Sequence, residues 1–194
     1  MKTILKATTV LALVLNVAIG TAKDSEINLI KANESNSLVL TLDKASVDLT
    51  VRFLDMDENI LYSGKIENGT VSKKFNLQSL ENGRYFIVTT DTNKIVRYTL
   101  AVEGDKVNII EKEETVKPHF RKTKERLFIN FLNLDRSAVS IKVYDEENRV
   151  LFSETVNDEM VVEKAFNFEG AFAGNYSVVV SDAKKTFAEN FIVD

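Results

Sequence analysis

Oxygen-bearing side chains alternate along Asp55-Met56-Asp57-Glu58-Asn59. Asp, Asp and Asn at alternate positions are how an EF-hand loop begins to gather hard oxygen ligands for calcium. The remainder of such a loop is missing, because Ile60 stands where the sharp turn needs glycine and Ile66 where a bidentate glutamate is needed. A related stretch, Asp145-Glu146-Glu147-Asn148, occurs later in the chain, and a solvated hairpin turn accounts for both. Asp55, Asp57 and Asn59 are thus the metal-ligand candidates, with the expectation that no metal is held.

Covalent and acid–base chemistry have less to work with. His119 is the sole histidine and there is no cysteine, so Ser-His-Asp, Cys-His and zinc sites would all have to be built on one residue between Pro118 and Phe120. A structural or surface role is expected for it. Asp and Glu are plentiful, but no spacing selects a pair for glycoside hydrolysis, and modules of this size leave little room for a deep cleft. The chain is therefore read as non-catalytic and without a cofactor. Aromatic platforms for sugars are the remaining option. Phe53, Phe75, Tyr85, Phe166 and Tyr176 fall in the phase of a core, whereas Phe172, in Gly170-Ala171-Phe172-Ala173-Gly174, either caps a core or sits exposed at a loop tip.

The elements that would position such groups are strands. Residues 49–66 and 139–156 each read as a strand of alternating apolar and polar residues, an acidic turn, and a second apolar run, the pattern of a half-buried hairpin. Asn68-Gly69 and Asn82-Gly83 mark further tight turns. Turn signals roughly every 8 to 12 residues indicate a β-sandwich or barrel. The order of elements occurs twice. Residues 49–74 pair with 139–164, and 75–102 with 166–193, with one inserted residue between the two blocks. Identities include Asp55/Asp145, Leu61/Leu151, Phe75/Phe166, Asn76/Asn167, Gly83/Gly174, Tyr85/Tyr176 and Asp91/Asp182. Val107-Asn108-Ile109-Ile110 is read as answering Ile27-Asn28-Leu29-Ile30, which makes 23–104 and 105–194 the two modules and Glu103-Gly104-Asp105 their joint. The charged run 111–125 is read as a solvated loop or exposed hairpin inside the second module.

Residues 1–22 have the pattern of an export signal: Lys2 and Lys6, a short apolar run, then small residues ending at Ala22. The apolar run is too short to span a bilayer, so the processed chain is expected not to cross a membrane. The net charge of −4 offers no basic excess for phosphate backbones, and nucleic acid is set aside as a partner. Without cysteine no disulfide can staple the modules, so each must be held by its own apolar core.

Ile141-Lys142-Val143-Tyr144-Asp145, Gly174-Asn175-Tyr176 and a last strand at the end of the chain together resemble the C-terminal module of bacterial type IX secretion cargo proteins. The family's Leu-x-x-Gly-x-Tyr step is literal in the first copy as Leu80-Glu81-Asn82-Gly83-Arg84-Tyr85. The resemblance implies an Ig-like sandwich and a terminal sorting role. The expected fold is thus all-β: two tandem antiparallel Ig-like β-sandwich modules after a signal peptide. The expected function is that of an exported binding, adhesion or scaffolding protein in the periplasm, at the cell surface or outside the cell. Its expected partner is a protein or a cell-surface polymer. The alternative is a secretion cargo whose last module is a sorting domain.

Overall fold

The computed structural model describes residues 27–31, 37–42, 49–66 and 72–194. The leader 1–22 and the Asn68-Gly69 turn lie outside the described residues. Two compact units divide between Thr115 and Val116.

In the first unit, β1 (Ile27–Lys31), β2 (Ser37–Leu42) and β5 (Ser72–Asn76) form an antiparallel sheet in the order β1-β2-β5. A second sheet has the order β4-β3-β6-β7-β8, built from β3 (Leu49–Leu54), β4 (Ile60–Ile66), β6 (Gly83–Thr90), β7 (Lys94–Glu103) and β8 (Lys106–Val116). Side chains alternate across a strand, so Leu49, Val51 and Phe53 are buried while Arg52 between them is exposed. Leu38, Leu40 and Phe75 from one sheet share a single core with Val51, Ile87, Val96 and Leu100 from the other. Two sheets closing on a shared apolar layer make this unit a sandwich.

The second unit repeats the plan. β9 (His119–Lys122), β10 (Arg126–Leu132) and β13 (Val161–Asn167) pair in the order β13-β10-β9. β11 (Val139–Tyr144), β12 (Val150–Val156), β14 (Gly174–Ser181) and β15 (Thr186–Val193) pair in the order β12-β11-β14-β15. Leu127, Ile129 and Phe131 meet Ile141, Val178, Val180 and Phe191 in its core. In both units one sheet takes the first, second and fifth strands and the other takes the third, fourth, sixth and seventh. That partition is an immunoglobulin-like sandwich whose fourth strand has joined the sheet of the third, sixth and seventh.

Matching sheet positions corrects four sequence expectations. The partner of β1 in the repeat is β9 rather than 107–110, because β9 pairs with β10 as β1 pairs with β2. Residues 107–110 belong to β8, an extra strand beside β7 that buries Val107 in the first core. Gly104, at φ +58, lies in the tight turn between β7 and β8, so 103–105 is a hairpin turn within the first unit and not a joint. The run 111–125 is mostly strand, comprising the end of β8 and all of β9. The inserted residue also lies earlier than the sequence pairing puts it. Lys73 and Lys164 are structural equivalents, each placed over the aromatic ring of the fourth strand, Tyr62 or Phe152.

Candidate functional site

Asp55, Asp57 and Asn59 come together, but around a hydrogen-bonded turn. Asp55 Oδ1 accepts from the backbone N–H groups of Asp57 at 2.9 Å and Asn59 at 2.8 Å, and its Oδ2 accepts from Asn59 Nδ2 at 2.9 Å. Asp145 does the same in the second unit. Its Oδ1 accepts from the N–H groups of Glu147 and Arg149, and its Oδ2 accepts from Arg149 Nε at 2.6 Å. The Asn59 side-chain amide holds the Asp55 carboxyl below its ordinary range; desolvation opposes this, and the two backbone donors reinforce it. At Asp145 desolvation pushes the carboxyl up, but the Arg149 backbone N–H, the guanidinium and the Glu147 N–H outweigh it and leave it lowered. Among the described residues no group of three or more His, Cys, Asp or Glu is arranged to hold a metal ion.

Other retained identities also do structural work. Asn76 and Asn167 cap their turns through the N–H groups of Gln78 and Glu169, and Asp91 and Asp182 accept from Asn93 and Lys94 and from Lys184 and Lys185. Tyr85 and Tyr176 donate to the carbonyls of Glu81 at 3.0 Å and Phe172 at 2.8 Å, which is the tyrosine corner of an immunoglobulin-like sandwich. Burial, then the nearby charges of Asp145 and Glu146, push the Tyr176 phenol up. Leu61 and Leu151 are different. Both are exposed, and both occupy a β-bulge, since Phe53 faces Tyr62 while Leu54 faces Ile60, and Val143 faces Phe152 while Tyr144 faces Val150. Phe172 is 69% exposed, which resolves its two sequence readings in favour of the loop tip.

His119 lies on the outer face of the β13-β10-β9 sheet, and this face has a composition unlike a solvated surface. Leu127, Ile129 and Phe131 of β10 point into the core, so Phe128, Asn130 and Leu132 point outward. Arg121 lies over the Phe128 ring at 3.9 Å, Asn130 Nδ2 donates to Glu163 at 2.7 Å, and His119 sits opposite Asn130. Further along, Leu132 faces Val161, and the chain continues into loops at Asn133 and Met160; Leu132, Leu134, Met160 and Val161 are each 41% to 61% exposed. The two loops that carry Leu134 and Met160 are tied by one buried polar residue. Asn133 donates through Nδ2 to the carbonyls of Ser137 at 2.8 Å and Glu159 at 2.9 Å, and through its backbone N–H to Met160 at 2.8 Å. Its amide is satisfied internally and ties two loops together, which presents the apolar cluster on a fixed frame. The sequence signal was slight: a lone Asn inside Phe131-Leu132-Asn133-Leu134, in a segment with no strand-like alternation beyond Leu132. The corresponding end of the first unit falls outside the described residues.

No protein-family model matches the chain. A stretch of 95 residues is 30% identical to a protein named probable rhamnogalacturonate lyase A from Aspergillus niger, covering 48% of this chain. The chain spans only 18% of that relative's length. Among solved structures, a two-domain fibronectin type III segment of chicken tenascin is 8% identical with a TM-score of 0.32, covering 87% of this chain and 98% of that one. The BSP domain of a biofilm-associated protein is 16% identical with a TM-score of 0.29, covering 87% of this chain and 29% of that one. The sandwich assignment stands on the strand pairing and the two cores. Among the described residues no helix is long and apolar enough to cross a membrane.

Proposed function

We propose that this chain is an exported, non-catalytic adhesion or scaffolding protein that grips a protein or cell-surface polymer through the outer face of the β13-β10-β9 sheet. The observation that carries the reading is the exposed pair Leu132 and Val161, opposite each other on that face, with exposed Leu134 and Met160 in the adjoining loops that Asn133 ties together. Exposed apolar side chains that adjoin one another and are rimmed by polar groups mark contact surfaces more often than isolated ones do. The rim is present as His119, Asn130, Glu163 and the Arg121–Phe128 stack, groups suited to hydrogen bonding at the edge of a contact. The test is binding of the purified, leader-free protein to the surface of the cells that export it. Leu134→Lys with Val161→Lys is expected to reduce binding at least tenfold with an unchanged melting temperature. Equal binding by the double variant would reject this face.

The sorting alternative rests on the resemblance to type IX cargo modules. Of the residues that carry it, Asp145 and Tyr176 perform turn and corner duties that Asp55 and Tyr85 repeat in the first unit. Fusion of residues 116–194 to an unrelated exported passenger separates the readings. Delivery to the cell surface with trimming of the C-terminus supports sorting, and retention of an intact fusion supports the scaffold.

A further inference from the structure

β7 and β15 occupy the same position in the two sandwiches, and they differ in what lies beside them. β7 has β6 on one side and β8 on the other, whereas β15 pairs with β14 and, among the described residues, has no strand along its outer edge. The effect shows residue by residue. Thr99 is buried and Ala101 half-buried, while their equivalents Asn190 and Ile192 are exposed, Ile192 by 65%. A strand edge left open is a template for another strand, and folded chains normally disable such edges with bulges, short length or charge. The other edges of the two larger sheets carry these devices: β4 and β12 have bulges, and β8 carries Glu111, Lys112, Glu113 and Glu114. β15 has eight residues in unbroken register with β14, its outward row of Thr186, Ala188, Asn190 and Ile192 holds no charge, and its one charged residue, Glu189 on the core-side row, is paired with Lys122.

We propose that the outer edge of β15 pairs antiparallel with β15 of a second copy of this chain, taking up the place that β8 fills beside β7. An uncharged outward row lets two copies meet without like charges opposed, and the core-side row of Phe187, Phe191 and Val193 supplies the apolar alternation that Val107 and Ile109 supply from β8. Register follows from two constraints. Each strand must keep its core side facing the core, which requires the two-fold axis to pass through a residue position and not between two. Centring on Glu189 would oppose two carboxylates; centring on Asn190 sets Glu189 against Phe191, Ala188 against Ile192 and Phe187 against Val193. Lys122 also reaches this strand: its Nζ donates to the Asn190 carbonyl at 3.0 Å and pairs with Glu189 at 2.6 Å. An incoming strand competes with that lysine, and a single eight-residue strand is a small interface, so association is expected to be weak.

The leader-free protein, followed by sedimentation from about 10 μM to about 1 mM, is expected to rise from monomer towards dimer mass within that range. Ala188→Lys should weaken the association at least tenfold without shifting the melt. The chain has no cysteine, so Asn190→Cys introduces a unique thiol that the two-fold axis places against itself; oxidation should give a disulfide-linked dimer. Ser153→Cys, on the bulged edge strand β12, should remain monomeric under the same oxidation. Monomer mass throughout the range, or equal cross-linking of the two cysteine variants, overturns the proposal.

Discussion

Asp145 shows what a single residue does in this protein. Its carboxylate organises the β11–β12 turn, and its pKa is lowered in the folded state, as is that of Asp55. A lowered folded pKa means stability that is present above the ordinary carboxylate pKa of about 4 and is lost as pH falls through the lower folded value. Melting temperatures measured from neutral pH down to strong acid should therefore fall most steeply below about pH 4. Asp55→Asn combined with Asp145→Asn should flatten that limb; an unaltered slope would show that other carboxylates dominate. The tyrosine corners give a second measurement. Tyr176 is buried and Tyr85 half-buried, so Tyr176→Phe should cost about 1 kcal/mol in chemical unfolding, and Tyr85→Phe less. Tyr176→Ala, which also empties core volume, should cost about 3 kcal/mol or more. These residues were visible in the sequence as identities between the copies. Their reason was not, because an aspartate that ligates calcium and one that receives two backbone N–H groups look alike until the backbone is folded around them.

At the scale of the element, β8 decides where the first module ends. The alternating apolar residues of Leu49–Leu54 and Val139–Tyr144 announced their strands, and the acidic turns announced their hairpins. β9 and the outer half of β8 escaped because strand signals weaken when a strand lies at an edge and shows solvent-facing charge along most of its length. His119-Phe120-Arg121-Lys122 puts one apolar residue on the core, and Glu111 to Glu114 put none there. A fragment of residues 23–115 is expected to fold with a single cooperative melt. A fragment ending at Glu103 loses Val107 from the core and bares the β7 edge, and should unfold at least about 2 kcal/mol more easily in urea. Equal stability of the two fragments would make β8 an ornament of the first sandwich.

At the scale of the whole molecule, two separate cores make two separate stabilities. Ile87 and Ile141 are both fully buried, one in each core. Ile87→Ala and Ile141→Ala should each remove about 2 to 5 kcal/mol from their own module alone, read by amide hydrogen exchange residue by residue. Loss of protection in both modules from either change would show one cooperative body. The duplication itself was legible because preserved inward and outward phase leaves a longer trace than identity does. The exposed cluster around Asn133 was not, since Leu132 and Val161 become neighbours only through strand pairing. The route of the chain from β8 has a mechanical consequence. β8 begins at the turn after β7 and ends at Val116, from which Lys117 and Pro118 lead directly to β9. Tension applied through the second module enters the first at Val116, the end of β8 remote from its turn with β7. Only the outer part of β8, from Ile110 to Val116, can leave before Val107 and Ile109 are drawn from the first core. A chain that anchors one surface to another would thus stretch under a tug before it lets go, and come back to its resting length when β8 zips home.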